Sequence, residues 1–169
     1  MLSGGDRRSL GRVAEVLDLA KGHPQKVSFL VDCLWDEDAC VCMRAADALE
    51  KISRDQATCL QSHKIHLLAL LAQATQQEVR WHLAVIVPRL QLTDSECRQI
   101  MEVLRSYLED RSAIVKASAM QGLADLTDQD VSLGPNVIRL IRLLTLTGTP
   151  AMRARGRKLL QKLEHRNPT

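Results

Sequence analysis

A helical pattern returns four times along this chain, anchored at Val41-Cys42, Val79-Arg80, Val115-Lys116 and Met152-Arg153, with spacings of 38, 36 and 37 residues. A period of this length marks an α-solenoid, in which each repeat is a pair of helices that cannot bury its apolar face alone and must stack on its neighbours. With the first anchor residue as position n, the third repeat places Val115, Ala119, Gly122, Leu123 and Leu126 at n, n+4, n+7, n+8 and n+11. The first repeat gives Val41, Ala45, Ala48, Leu49 and Ile52, and the fourth Met152, Gly156, Leu159, Leu160 and Leu163. These offsets fall on one stripe of a 3.6-residue helix. Small residues at n+4 or n+7 let another helix approach closely. The second repeat (Val79, Leu83, Ile86, Val87, Leu90) has none there, so wider packing is expected, and Pro88 predicts a kink or an early end.

Each anchor helix follows another apolar stripe: Val27, Leu30, Val31 and Leu34; Ile65, Leu67, Leu68, Leu70 and Leu71; Ile100, Val103, Leu104 and Leu108; Val137, Ile138, Ile141, Leu143 and Leu144. The connections are short and rich in capping residues: Asp36-Glu37-Asp38, Thr75-Gln76-Gln77, Asp110-Arg111-Ser112 and Gly148-Thr149-Pro150. Asp, Thr and Ser satisfy the orphan amides of the helix that follows, and proline suits its first turn. Thr93 with Glu96 reads as a capping box for a helix beginning near Asp94, and His23-Pro24 as the start of the helix before the first anchor.

An aromatic content of 2% against 46% hydrophobic residues suits stacked aliphatic helices and suits a β-sandwich poorly. The length, 169 residues, is enough for one domain with a continuous core. No run of about 20 apolar residues occurs, so no membrane span is expected. The start of the chain lacks an apolar signal core, which leaves residues 1–8 and 166–169 as expected flexible tails. An amphipathic stripe of Val13, Val16, Leu17 and Leu19 predicts a capping helix over residues 10–20. The five cysteines, Cys33, Cys40, Cys42, Cys59 and Cys97, are odd in number and read as reduced thiols of a cytoplasmic protein. The fold class expected is therefore all-α: a right-handed α-solenoid of about four helical hairpins, over residues 24–53, 62–91, 94–127 and 135–164, plus an N-terminal capping helix, forming one domain over residues 9–165.

The combination of an acidic turn, Val-Arg, Ala at n+4 and Ala-Leu at n+7 and n+8 resembles HEAT-like repeats. The resemblance is clearest at residues 38–52, 78–80 and 114–126 and covers about residues 24–164. It departs at Cys42, where arginine is expected, and at Leu83 and Ile86. In such stacks the second helix of each pair lines the concave surface. Offsets n+3, n+6 and n+10 then present Arg44, Asp47 and Lys51; His82, Val85 and Arg89; Ser118, Gln121 and Asp125; and Arg155, Lys158 and Lys162. Arg44, Asp47, Lys51, His82, Arg89, Gln121, Arg155, Lys158 and Lys162 are accordingly the candidate binding surface, with pairs such as Arg44–Asp47 and Asp47–Lys51 expected along it. The Arg80, Lys116 and Arg153 series is expected to pair with acids and lock the stack.

Residues 139–166 carry eight basic residues and one acid, Glu164, although the whole chain is only +3. This asymmetry fits either an anion-binding face or the hydrophilic end that a solenoid needs. The principal functional expectation is a non-catalytic scaffold that binds a protein or peptide along its concave groove. The alternatives are nucleic-acid binding through the basic C-terminal repeat, in the manner of HEAT-like DNA alkylation glycosylases, and a phycobilin lyase-like role. Trp81 beside His82 invites the glycosylase comparison, but a packing role for Trp81 is the simpler reading. His63 and His66, three apart, lack further metal ligands, and Cys40-x-Cys42 has no second cysteine pair. No phosphate-binding glycine loop or nucleophile elbow occurs, so no catalytic residue, cofactor or metal is assigned.

Overall fold

The computed structural model describes residues 2, 12–20 and 23–166, leaving aside the side chains of Pro24 and Arg166. Apart from Leu2 and Arg166, the tails expected at residues 1–8 and 166–169 lie outside these, as do residues 10 and 11 of the expected capping helix. The described residues form α-helices joined by short turns, with no strand among them. The chain divides into two compact units, Met1–Gln91 and Leu92–Thr169.

In the first unit α1 (Val13–Ala20), α2 (Pro24–Asp32), α3 (Ala39–Gln56), α4 (Lys64–Gln73) and α5 (Gln77–Ile86) follow in order. Helix α3 is central: α1, α2, α5 and the 3-10 turns Cys33–Trp35 and Ala57–His63 all pack on it. Its n+4, n+7 and n+8 residues, Ala45, Ala48 and Leu49, are fully buried, as their spacing predicts. Asp38 caps α3 by accepting a hydrogen bond from the Cys40 amide at 2.8 Å. The turn before α5 works differently from expectation. Gln76, not Thr75, holds the cap position without a side-chain cap, and its amide instead donates to the Ala39 carbonyl at 2.8 Å. Helix α5 ends early, as Pro88 requires: the backbone passes at Val87 into a 3-10 turn, Val87–Arg89. That turn brings Arg89 back toward α3.

The second unit comprises α6 (Asp94–Tyr107), α7 (Ala113–Leu126), α8 (Gly134–Thr147) and α9 (Pro150–Arg166). The Thr93–Glu96 capping box is present in both directions, at 2.8 Å and 3.3 Å. Helix α9 packs on both α7 and α8, and α7 on α6. Gly156 permits this close approach, since an added Cβ would run into the Thr145 side chain and lie 3.2 Å from Met120 Cε. Met152, Leu159 and Leu163 complete the buried stripe of α9.

Candidate functional site

The expected polar face of the first unit is built on α3, and most of it is internal. Arg44 is 1% exposed, and its Nη1 donates to the Leu2 carbonyl at 2.6 Å. Asp47 is buried and accepts from Lys51 Nζ at 2.6 Å, as the i,i+4 spacing predicts. His82, on α5, is half-buried. Burial holds its pKa below the usual 6.5, with Asp47 and Glu50 opposing and Lys51 and Arg54 reinforcing.

Arg89 does not stand open to a ligand. Its Nη2 donates to Glu50 Oε1 at 2.9 Å, and its Nη1 to the Glu50 carbonyl at 3.0 Å and to Ser53 Oγ at 2.6 Å. Arg54 grips the same carboxylate, Nε to Oε1 at 2.9 Å and Nη2 to Oε2 at 2.7 Å. Desolvation pushes the Glu50 carboxyl upward, but the hydrogen bonds and charges of the two arginines together outweigh it and hold its pKa below the ordinary value. Glu50, Ser53 and Arg54 were not among the sequence candidates. The signal for them was the i,i+4 pair Glu50–Arg54, with Arg89 lying about one repeat beyond Glu50.

In the second unit the face is more open. Arg155 Nη1 donates to Gln121 Oε1 at 3.0 Å, and Gln121 Nε2 donates to Asp125 Oδ1 at 2.9 Å. Lys162 Nζ lies 3.4 Å from the same Asp125 oxygen and 3.7 Å from Asp128 Oδ2. Lys158 is exposed and makes no ion pair among the described residues. Across the other flank of α9, Arg142 pairs with Glu164 at 2.8 Å. Within each unit, then, one cation and one acid 37 to 39 residues apart are joined, Arg89 with Glu50 and Lys162 with Asp125, while Arg155 and Lys158 keep their charge. The locking role expected for Lys116 and Arg153 is not seen: neither makes an ion pair among the described residues.

Among the described residues no catalytic constellation assembles around Trp81. Its ring lies 5.7 Å from that of His82 at a 58° tilt, and the nearby Asp47 is already taken by Lys51. His63 accepts or donates a 3.1 Å hydrogen bond with Ser28, and His66 meets Trp35 edge-on at 6.4 Å, so the two histidines serve different contacts. No cluster of three or more potential metal ligands occurs among the described residues. All five cysteines are free thiols, and Cys42 donates to the Asp36 carbonyl at 3.0 Å. No helix among the described residues is long and apolar enough to cross a membrane.

No family model and no curated protein matches the chain. Among solved structures it is similar to an engineered protein from the Northeast Structural Genomics Consortium, with a TM-score of 0.61 at 18% identity, over 97% of this chain and 76% of that one. A likeness at that identity speaks to fold alone, and the fold of this chain is all-α.

Proposed function

We propose that the chain is a right-handed α-solenoid of four HEAT-like hairpins behind an N-terminal capping helix, and that it acts as a non-catalytic scaffold. Its ligand is a protein or peptide, bound on the concave surface that the likeness to HEAT-like repeats implies. One observation carries this reading: side-chain bonds recur at about one repeat's separation. They join Gln76 to Ala39, Arg89 to Glu50, Gln129 to Leu92, Arg155 to Gln121 and Lys162 to Asp125, across 34 to 39 residues. Within each unit, such bonds are what hairpins stacked in register would make, and they support the reading. They also leave a mixed polar surface with alternating donors and acceptors, which suits a peptide backbone and polar side chains. A phosphate chain needs unneutralised cations; on this face Arg89 and Lys162 are ion-paired, which leaves Arg155, bonded to the neutral Gln121 amide, and Lys158 as the residues on which the phosphate-binding alternative rests. The free thiols suit a reducing cytoplasm.

The test is display selection of a random peptide library on the folded chain, with anisotropy of short DNA and RNA probes across a salt series alongside. Peptides should be enriched that lose binding on Gln121→Ala and Asp125→Ala but keep it on Arg153→Ala. Nucleic-acid binding with a steep salt slope, reduced by Lys158→Ala, would replace this reading with the phosphate-binding one.

A further inference from the structure

A second surface in the Leu92–Thr169 unit carries a separate inference, independent of the polar face. Helices α6 and α8 each pack on α7 but not closely on one another, and a cleft of about 580 Å³ opens between them. Its floor is the buried pair Leu123 and Val137, and its walls are Met101, Leu140 and Leu143. Leu143 is 56% exposed, and Leu146, one turn on, is 77% exposed. The two are i,i+3 neighbours on α8, and with the cleft wall at Leu143 they extend its apolar surface outward, the kind of contiguous patch at which contact surfaces are found. Methionine in a wall adds adaptability, since its unbranched thioether reshapes around a guest.

Charge selects the guest. The rim holds Arg105 from α6 and Arg139 from α8. Arg139 donates to the Asn136 side-chain oxygen at 3.3 Å, and neither arginine makes an ion pair among the described residues. No acid lines the cleft, and α8 contains none. The neighbouring acid on α6, Glu102, lies one turn before Arg105 and outside the lining.

We infer that this cleft is a docking groove for an amphipathic helix of a partner protein, with aliphatic anchors at i, i+3 and i+7 flanked by Asp or Glu. Anchors of that spacing enter an apolar groove between two helices, and the flanking acids meet the two arginines. A flat anionic bilayer meets the same charges but does not reach a recessed floor at Leu123 and Val137, so the helix is the better fit.

The experiment uses the whole chain and two labelled synthetic helices, both with Leu at i, i+3 and i+7. One has Glu at the flanking positions and the other Lys. The Glu helix should bind at least about tenfold more tightly, and Arg105→Glu with Arg139→Glu should reverse the preference. Leu143→Asp, at an exposed position, should abolish binding of both while leaving the far-UV circular dichroism unchanged. Equal affinity for the two helices would overturn the inference. So would a Glu-helix affinity indifferent to the charge reversal, or anionic vesicles binding through Leu143 while neither helix does. Dimerisation of the chain that Leu143→Asp abolishes would likewise overturn it in favour of a second copy as occupant. Because the polar-face substitutions Gln121→Ala and Asp125→Ala leave this groove untouched, its failure and that of the scaffold reading are separable.

Discussion

Removing Glu50 tests the polar network where it is most deeply set. The Glu50 side chain is 7% exposed, against 25% for Arg89 and 62% for Arg54. Glu50→Ala strands one half-buried guanidinium, although Arg89 keeps Ser53 and the Glu50 carbonyl through Nη1. Arg54 simply returns to water, so its share is small. The expected loss is therefore about 3 kcal/mol, the low end for breaking a buried pair. Glu50→Gln keeps an acceptor and the volume and should lose about 1.5 kcal/mol. Both tryptophans, Trp35 and Trp81, lie in the Met1–Gln91 unit and the tyrosine, Tyr107, in the other, so fluorescence excited selectively at tryptophan during urea unfolding reports on the first unit. With an m-value of about 1 kcal/mol/M, Glu50→Ala lowers the midpoint by about 3 M. The pH dependence has a definite sign. The folded-state pKa of Glu50 lies below 4.5, so its stabilisation is complete above that value and is lost as pH falls through the folded pKa. The gap between wild type and Glu50→Gln must narrow in acid. A loss under about 1 kcal/mol for Glu50→Ala at neutral pH, or a double-mutant cycle with Arg89→Ala showing negligible coupling, would refute the argument.

Three further outcomes follow from single sites. Gly156→Ala gains helix propensity but drives a methyl into Thr145, so it should destabilise the second unit by about 1 to 2 kcal/mol in thermal melts, and Thr145→Ala should restore most of it. His82 is held below pKa 6.5 by burial, so the neutral imidazole belongs to the fold and stability should fall as pH drops below that value. An NMR titration midpoint at or above 6.5 would contradict this. Cys42 and Cys97 are buried with raised pKa values, so alkylation at neutral pH should reach them only on unfolding, and fast native labelling would count against the core assignment.

The apolar architecture was legible because periodicity is local. Ala45, Ala48 and Leu49 are buried where the stripe places them, and Pro88 ends α5 where a missing amide and a ring clash require. Caps with strong side-chain acceptors, Asp38 and Thr93, were also readable. The polar face was legible only as a set of positions. Helical offsets group Arg44, Asp47, Lys51 and Arg89, but they do not say which will be buried. Arg44 is buried with its guanidinium on the Leu2 carbonyl, 42 residues away, and Arg89 turns inward because a 3-10 turn re-aims it at Glu50. Both are tertiary events. The cleft between α6 and α8 was illegible for a related reason. Leu143 sits in an apolar stripe that reads as core, and only the gap between two non-adjacent helices leaves it in water.

The distribution of engaged charge constrains how any ligand reads the polar face. Binding there competes with the ion pairs and hydrogen bonds already made along it. Displacing Arg89 from Glu50 exposes a carboxylate that is 7% accessible and strips three hydrogen bonds from one guanidinium, so the cost is large. Displacing Lys162 from Asp125 breaks a 3.4 Å contact whose partners are 40% and 19% exposed, and water replaces most of what is lost. A ligand that borrows existing donors and acceptors therefore does so most cheaply on α7 and α9, at Gln121, Asp125, Arg155 and Lys162. The α3 network remains intact as scaffold. If the proposed peptide binding holds, Lys162→Ala should weaken it with little effect on stability, whereas Arg89→Ala should lower stability first and affinity only through it.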